Sequence, residues 1–85
     1  MKVFVTGSAG FIGFHLSKLL LESGFSVHGY DALTDYYDVN LKKNRHKILD
    51  TYKKFSKTID LLENKEALNN VLLEFKPNVV IHLAA

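Results

Sequence analysis

Short apolar runs alternate with longer amphipathic stretches along the whole chain. Four of these runs are candidate strands, at residues 3–5, 25–30, 55–59 and 79–81. The first and the last are continuously apolar, which is typical of strands buried on both faces of a parallel sheet. The third alternates apolar and polar residues, a second pattern that indicates a strand.

The stretches between the runs carry apolar residues at helical spacing. The first helix is predicted to end at Ser23, and Gly24 suits the left-handed residue just past a helix end. The second helix spans residues 39–52, and the third stops where Lys76 precedes Pro77. The spacing is carried by Ile12, Leu16, Leu19 and Leu20 in the first helix, by Leu41, Ile48 and Tyr52, on one face with Arg45, in the second, and by Leu68, Val71, Leu72 and Phe75 in the third.

Strict alternation of strands with helix-length connections predicts the α/β class. A connection of that length lets consecutive strands run parallel, with right-handed crossovers. A chain of 85 residues holds one small domain at most, which leaves room for a limited core.

Three glycines, Gly7, Gly10 and Gly13, follow the first strand. Gly7 lets the chain turn sharply, Gly10 lets the backbone approach a phosphate, and Gly13 lets the helix pack close to the sheet. The free amides and the dipole of that helix then favour an anion. The alternative is a strand–turn–helix corner whose glycines serve packing only. The buried strand before the loop and the amphipathic helix after it favour a dinucleotide pyrophosphate.

A carboxylate, Asp31, ends the second predicted strand. It follows the third glycine at close to the roughly 20-residue interval that places an acid on the adenosine ribose. Its two oxygens can accept from both ribose hydroxyls, and its charge would repel a 2′-phosphate. These properties predict NAD rather than NADP as the ligand; the alternative is an ordinary loop aspartate.

The sequence TGSAGFIG at residues 6–13 resembles the cofactor loop of the extended short-chain dehydrogenase/reductases. Residues 31–42, DALTDYYDVNLK, and residues 76–85, KPNVVIHLAA, are similar to the UDP-glucuronate 4-epimerases within that family. The resemblance implies a partial Rossmann fold, a four-stranded parallel sheet in the order 3-2-1-4 with three helices. Residues 1–85 would form the N-terminal part of an NAD-binding domain, without the substrate domain.

Further NAD contacts are implied by the resemblance alone. Backbone amides near the pyrophosphate, residues at the adenine and residues at the end of the fourth strand would all touch the cofactor. One position departs from the family, because many relatives have asparagine where Ala32 stands. The implied contacts are Phe11 and Ile12 at the pyrophosphate, Asp60 and Leu61 at the adenine, and Leu83, Ala84 and Ala85 at the fourth strand.

The chemistry of the family is oxidation and reduction of a UDP-sugar at carbon 4, with NAD as the hydride carrier. Its base is a tyrosine followed four residues later by a lysine. None of the four tyrosines of this chain has a lysine at that spacing. We therefore assign no catalytic residue and expect no turnover by the chain alone. A UDP-sugar would be a partner only if the missing remainder were supplied.

A second reading is a non-catalytic module that keeps the Rossmann scaffold and binds a partner or a second copy. The fourth strand is interior in the complete fold, and here it would become an open apolar edge that invites pairing. The sheet face opposite the first two helices would keep only one helix, which leaves an apolar patch. This argument predicts a homo-oligomer joined through the fourth strand.

Composition excludes several other functions. The net charge of +2 is too small to indicate a nucleic-acid surface, and the basic patch between Lys42 and Lys57 is interpreted as a solvated helix face. The chain has no cysteine, and its histidines have no metal-ligand spacing. No apolar run approaches the roughly 20 residues that span a bilayer. With no secretory leader pattern at the start, we expect a cytoplasmic protein.

Overall fold

The computed structural model describes residues 1–33 and 39–84. Strands and helices alternate throughout, as the apolar pattern predicts. The observed end of each element lies within about one residue of the predicted end, except that the second helix ends three residues early. The elements are β1 (Lys2–Thr6), α1 (Phe11–Glu22), β2 (Ser26–Asp31), α2 (Val39–Leu49), β3 (Phe55–Ile59), α3 (Lys65–Phe75) and β4 (Val79–His82).

The four strands form one parallel sheet in the order β3-β2-β1-β4, which confirms the predicted fold class and order. Strand β1 lies at the centre, with Val5 opposite Gly29 on one side and Ile81 on the other. Because the strands are parallel, their carboxyl ends meet at one edge of the sheet. Thr6, Asp31 and the residues after β3 and β4 therefore come together there.

Helices α1 and α2 cover one face of the sheet and close the main core. Alternate residues of β1 point into this layer, as the two-residue period of a strand requires. All members of the core are apolar and at least nine-tenths buried: Val3, Val5, Phe14, Leu21, Val27, Leu49 and Phe55.

Helix α3 lies on the opposite face and packs more loosely. Its Phe75 ring contacts His28, with ring centroids 5.4 Å apart, and His28 stacks on the buried Phe4. No residue of α3 is fully buried, and Leu73 is 70% exposed. The sequence argument likewise expected a single helix on this face.

The buried face of α2 is not the one that Leu41 and Ile48 share with Arg45. Leu41 and Ile48 are 42% and 47% exposed, while His46 and Leu49 are buried. The helix also ends at Leu49 rather than at Tyr52. The physical reason is a polar contact, because His46 turns inward to bond a hydroxyl of the loop after β1. The spacing of apolar residues alone therefore does not identify the buried face of this helix.

Candidate functional site

The loop between β1 and α1 is built around close backbone approaches. Gly7 has a φ of +77°, and a Cβ there would lie 2.9 Å from the Ala84 backbone nitrogen. A Cβ on Gly13 would overlap the carbonyl oxygen of Gly7. The first glycine thus permits both the turn and the passage of the chain after β4. The third glycine, Gly13, permits α1 to start in direct contact with the turn. The predicted role was close packing of this helix against the sheet.

The N-terminus of α1 opens to solvent without a side-chain cap. Gly10 is the N-cap residue, in an extended conformation, and the first turn holds no acidic residue. The N–H groups of Phe11, Ile12 and Gly13 have no intrahelical acceptor by the geometry of a helix start. Both large side chains of this turn are exposed. These amides and the helix dipole can bind an anion of phosphate type.

Asp31 lies at the end of β2 beside this loop and is only 4% exposed. Its Oδ2 accepts from the Ala9 N–H at 3.0 Å. Its Oδ1 accepts from the Leu33 N–H at 2.8 Å and from the Lys42 Nζ at 3.4 Å. A carboxylate has about four lone-pair positions. Among the described residues three donors occupy this carboxylate, which leaves room for about one further donor, such as a hydroxyl.

The basic side chains of α2 divide into two groups. Lys43 and Lys47 are exposed, in line with the interpretation as a solvated face. Lys42 instead pairs with Asp31, and the Arg45 Nη1 donates to the Ala9 carbonyl at 3.1 Å. The guanidinium also lies 5.9 Å from the Phe11 ring centroid. Two basic side chains on one face of α2 therefore contact the glycine loop and the neighbouring Asp31. The interpretation of the basic patch as a solvated face missed these contacts.

Ser8 and His46 form a buried hydrogen bond that the sequence reasoning also missed. The Ser8 Oγ lies 2.9 Å from the His46 Nε2, and burial lowers the pKa of His46 below its usual value. A Cβ on Gly29 would overlap the Ser8 side chain. A lone glycine inside a strand often marks such a close approach. Gly29 was therefore the feature of the sequence that could have indicated a group packed against β2.

The chain after β3 runs beside Asp31, because the Asp60 N–H donates to the Asp31 carbonyl at 3.2 Å. The Asp60 carboxylate accepts from the Leu61 N–H and from the Asn64 Nδ2. The Tyr30 hydroxyl donates to the Leu61 carbonyl at 2.9 Å. Burial, and then the charge of Asp60, raises the pKa of Tyr30. Asp60 thus lies directly beside Asp31, and Leu61 follows it at the same edge of the sheet.

The chain after β4 is tied to the end of β1 through Thr6. The Thr6 Oγ accepts from the backbone N–H of Leu83 at 3.0 Å and of Ala84 at 3.3 Å. It also lies 2.8 Å from the His82 Nδ1. Two accepted bonds fill both hydroxyl lone pairs, so the hydroxyl proton is assigned to the bond with His82. Leu83 and Ala84 thus lie next to the glycine loop, their contact with the cofactor stays a prediction, and Ala85 lies outside the described residues.

Groups of side chains that could hold a metal ion are absent from residues 1–33 and 39–84. In the same part of the chain, no helix is both long and apolar enough to cross a membrane.

The chain is similar to proteins of one known family. The family model of GDP-mannose 4,6 dehydratase matches residues 4–85. A probable UDP-glucuronate 4-epimerase of Rhizobium meliloti is 46% identical over the whole chain. UDP-glucuronate 4-epimerase 6 of Arabidopsis thaliana is 40% identical, also over the whole chain.

Solved structures show the same similarity. UDP-glucuronic acid 4-epimerase from Bacillus cereus in complex with NAD is 36% identical and superposes over the whole chain with a TM-score of 0.87. Its complex with UDP-glucuronic acid and NAD gives a TM-score of 0.88. The chain covers 27% and 26% of those two structures.

The chain spans about a quarter of the length of the bacterial relative, 25%, and 18% of the plant relative. The matched part holds the glycine loop, Asp31 and all four strands. The chain belongs to the family of the GDP-mannose 4,6 dehydratase model, a branch of the extended short-chain dehydrogenase/reductases that includes nucleotide-sugar epimerases and dehydratases.

Proposed function

We propose that this chain is the NAD-binding N-terminal portion of a UDP-glucuronate-like 4-epimerase and binds the adenosine-diphosphate half of NAD. The observation that carries the proposal is the uncapped N-terminus of α1, which opens beside the Asp31 carboxylate. Helix amides suit the pyrophosphate and the carboxylate suits a ribose hydroxyl. The resemblance to NAD complexes of relatives supports the same ligand.

In this proposal the backbone does most of the binding. The N–H groups of Phe11 and Ile12 donate to the pyrophosphate, and Gly10 lets it approach because no Cβ intervenes. The acceptor position left on Asp31 takes a ribose hydroxyl. NAD, when bound, supplies a hydride acceptor and donor.

The remaining predicted contacts complete the proposed site. Asp60 and Leu61 flank the adenine, since the chain after β3 is bonded to Asp31. Leu83, Ala84 and Ala85 lead from the end of β4 towards the nicotinamide half. The approach of Ala84 to Gly7 supports this route.

Calorimetric titration with NAD tests the proposal directly. Asp31→Asn keeps the side-chain volume and removes the charge, so we expect NAD to bind about tenfold or more weakly, because hydrogen bonds to charged groups contribute roughly 1.5–3 kcal/mol. Glu66→Ala, a carboxylate change at the start of α3, is the matched control and should bind as wild type. NADP should bind more weakly than NAD. No heat with millimolar NAD would contradict the proposal.

The departure at position 32 offers a test in the opposite direction. Ala32 cannot hydrogen-bond through its side chain, whereas asparagine at this position holds the ribose side in many relatives. Ala32→Asn should therefore strengthen NAD binding by about fivefold, because one neutral hydrogen bond contributes roughly 1 kcal/mol. The same titration with Ala32→Ser serves as a smaller polar control. Unchanged affinity in the asparagine variant would remove this contact from the proposed site.

The proposal also expects no epimerisation by this chain alone, because it lacks the tyrosine–lysine pair of the family. Incubation with NAD and UDP-glucuronate, followed by chromatography of the sugar, should return the substrate unchanged. A UDP-sugar becomes a partner when a polypeptide carrying the remaining domain is added. Product formed without that polypeptide would overturn this part of the proposal.

We propose, as a second function, self-association through the free edge of β4. In the described sheet β4 pairs with β1, Val80 is 55% exposed, and Leu83 is also exposed. An apolar edge of this kind pairs readily with another strand. Sedimentation velocity should show a dimer that Val80→Lys converts to monomer, while Lys65→Ala, a change on α3, leaves it intact. A wild-type monomer at high concentration would contradict this proposal.

A further inference from the structure

Three side chains from one side of the loop hold the Ser8–Ala9 segment. The Ala9 N–H donates to Asp31 and the Ala9 carbonyl accepts from Arg45. The Ser8 hydroxyl bonds the His46 ring. Both peptide groups of Ala9 and the side chain of Ser8 are therefore fixed by β2 and α2. Because Gly10 follows directly, this segment sets the direction in which the first amides of α1 point.

Of these three contacts, the one made by the His46 ring is the most sensitive to a change of protonation. It is 3% exposed, and its centroid lies 6.0 Å from that of the buried Phe55 ring. Its Nδ1 finds no hydrogen-bond partner among the described residues. A neutral imidazole carries one N–H and one lone pair, so the neutral ring can leave only a lone pair unmatched. A second proton would place an unpaired N–H and a charge in this apolar position, which is unfavourable.

Charged groups reach His46 from three elements and largely oppose one another. Asp31 on β2 and Asp50 at the end of α2 raise its pKa, while Lys57 on β3 and Lys42 on α2 lower it. Burial is the largest influence and lowers the pKa. The guanidinium of Arg45, one residue earlier on α2, also faces the loop. The charged neighbours therefore do not stabilise a protonated His46 in its buried position. Protonation favours movement of the ring out of that position.

We propose that His46 is a positioning residue for the glycine loop: the neutral ring holds Ser8, and a second ring proton releases the Ser8–Ala9 segment. Release frees Ser8 from α2 and removes one of the three restraints on the loop. The amides of α1 then lose their fixed direction. The consequence for ligand binding rests on the proposed NAD function, whereas the movement of the loop does not.

The first test needs no ligand. In ¹⁵N spectra recorded from about pH 7.5 down to about pH 4, a range that extends below the usual one for histidine because burial lowers the pKa of His46, the amides of Ser8, Ala9 and Gly10 should shift together with the His46 ring. In His46→Gln, which keeps a donor near the Nε2 position without titrating, these shifts should disappear. Loop amides that stay unmoved while the His46 ring titrates, or that shift equally in the glutamine variant, would overturn the proposal.

The second test measures NAD affinity over the same pH range. Wild type should lose about five- to tenfold as the pH falls, because one linked proton changes an equilibrium by at most tenfold per pH unit. His46→Gln should retain near-neutral affinity and a flat profile, and Ser8→Ala should be weaker at neutral pH and equally flat. A buried histidine with only a packing role would change unfolding but not these profiles.

His28 provides the matched control. It is also buried with a lowered pKa, and its ring bonds the hydroxyls of Ser56 and Thr58 on the opposite face of the sheet. His28→Gln should leave the pH profile of NAD binding unchanged. Absence of NAD binding at every pH would refute the proposed function, yet the loop amides would still decide the role of His46. A profile that flattens in His28→Gln but not in His46→Gln would overturn it.

Discussion

The two faces of the sheet differ sharply in how firmly they are built. On the α1–α2 face, seven apolar residues of the described part of the chain form a closed core, and polar side chains bind the loop that follows β1. On the α3 face, Phe4 and His28 are covered, but the helix itself has no fully buried residue. The amphipathic spacing of α3 was nevertheless clear in the sequence. Spacing thus reports that a helix has an apolar face, while burial depends on what lies against that face.

The largest effect is expected at Gly13, where α1 rests on the turn. Gly13→Ala would force a Cβ into the Gly7 carbonyl oxygen, so we expect a loss of about 4 kcal/mol in the free energy of unfolding. Gly24→Ala is the control, since a Cβ there meets open space and only the positive φ costs about 1 kcal/mol. Urea unfolding measures both. Equal losses would show that the turn can shift without strain.

The next effect compares one leucine from each face. Leu49 is fully buried in the core, whereas Leu73 on α3 is largely exposed. Leu49→Ala should lower the free energy of unfolding by about 3 kcal/mol through lost burial and a cavity. Leu73→Ala should change it by less than about 0.5 kcal/mol. If the two variants unfold alike, another surface covers α3 in solution, separately from the proposed contact through the edge of β4.

A smaller effect should follow from acid. Burial lowers the pKa of both His28 and His46, so the unfolded chain binds more protons than the folded one below about pH 6.5. Stability should therefore be highest above that pH and fall as the pH drops towards each folded pKa. We expect less than about 1 kcal/mol per pH unit from each ring, since solvent contact weakens the effect.

Chemical unfolding at several pH values measures this loss. His46→Gln and His28→Gln should each flatten part of the profile, and the double variant should flatten most of it. A profile unchanged in both variants would assign the acid sensitivity to other groups. The comparison also separates the two faces, because only the His46 variant should alter the loop amides.

An effect of similar size concerns the two helix starts. The Asn64 side chain caps α3 by accepting from the Ala67 N–H at 3.2 Å, whereas α1 starts at Gly10 without a side-chain cap. Asn64→Ala should cost about 1 kcal/mol and leave NAD affinity unchanged. Thermal unfolding and calorimetry on the same sample measure both. A loss of NAD affinity in this variant would link α3 to the proposed site, contrary to the model of two independent faces.

The sequence predicted most of the backbone and part of the candidate site. The three glycines and Asp31 could be found because each is required by a local backbone event or by the end of a strand. Ser8, Arg45 and His46 could not, because their partners are distant in sequence and their types are common on solvated surfaces. Gly29 carried a local signal of close approach, but nothing in the sequence identified Ser8 as the group approaching.

The order of apolar runs by itself determined four parallel strands, three helices and the position of the glycine loop. Local chain geometry and the right-handed crossover allow few alternatives to that order. Only the tertiary structure decided which face of α2 is buried and how Asp31 is bonded. Buried hydrogen bonds between distant residues select those orientations, because an unpaired polar group in the core is unfavourable. Local sequence patterns therefore determine the arrangement of strands and helices. The conformation of the glycine loop depends on contacts between distant residues, which form only in the folded chain.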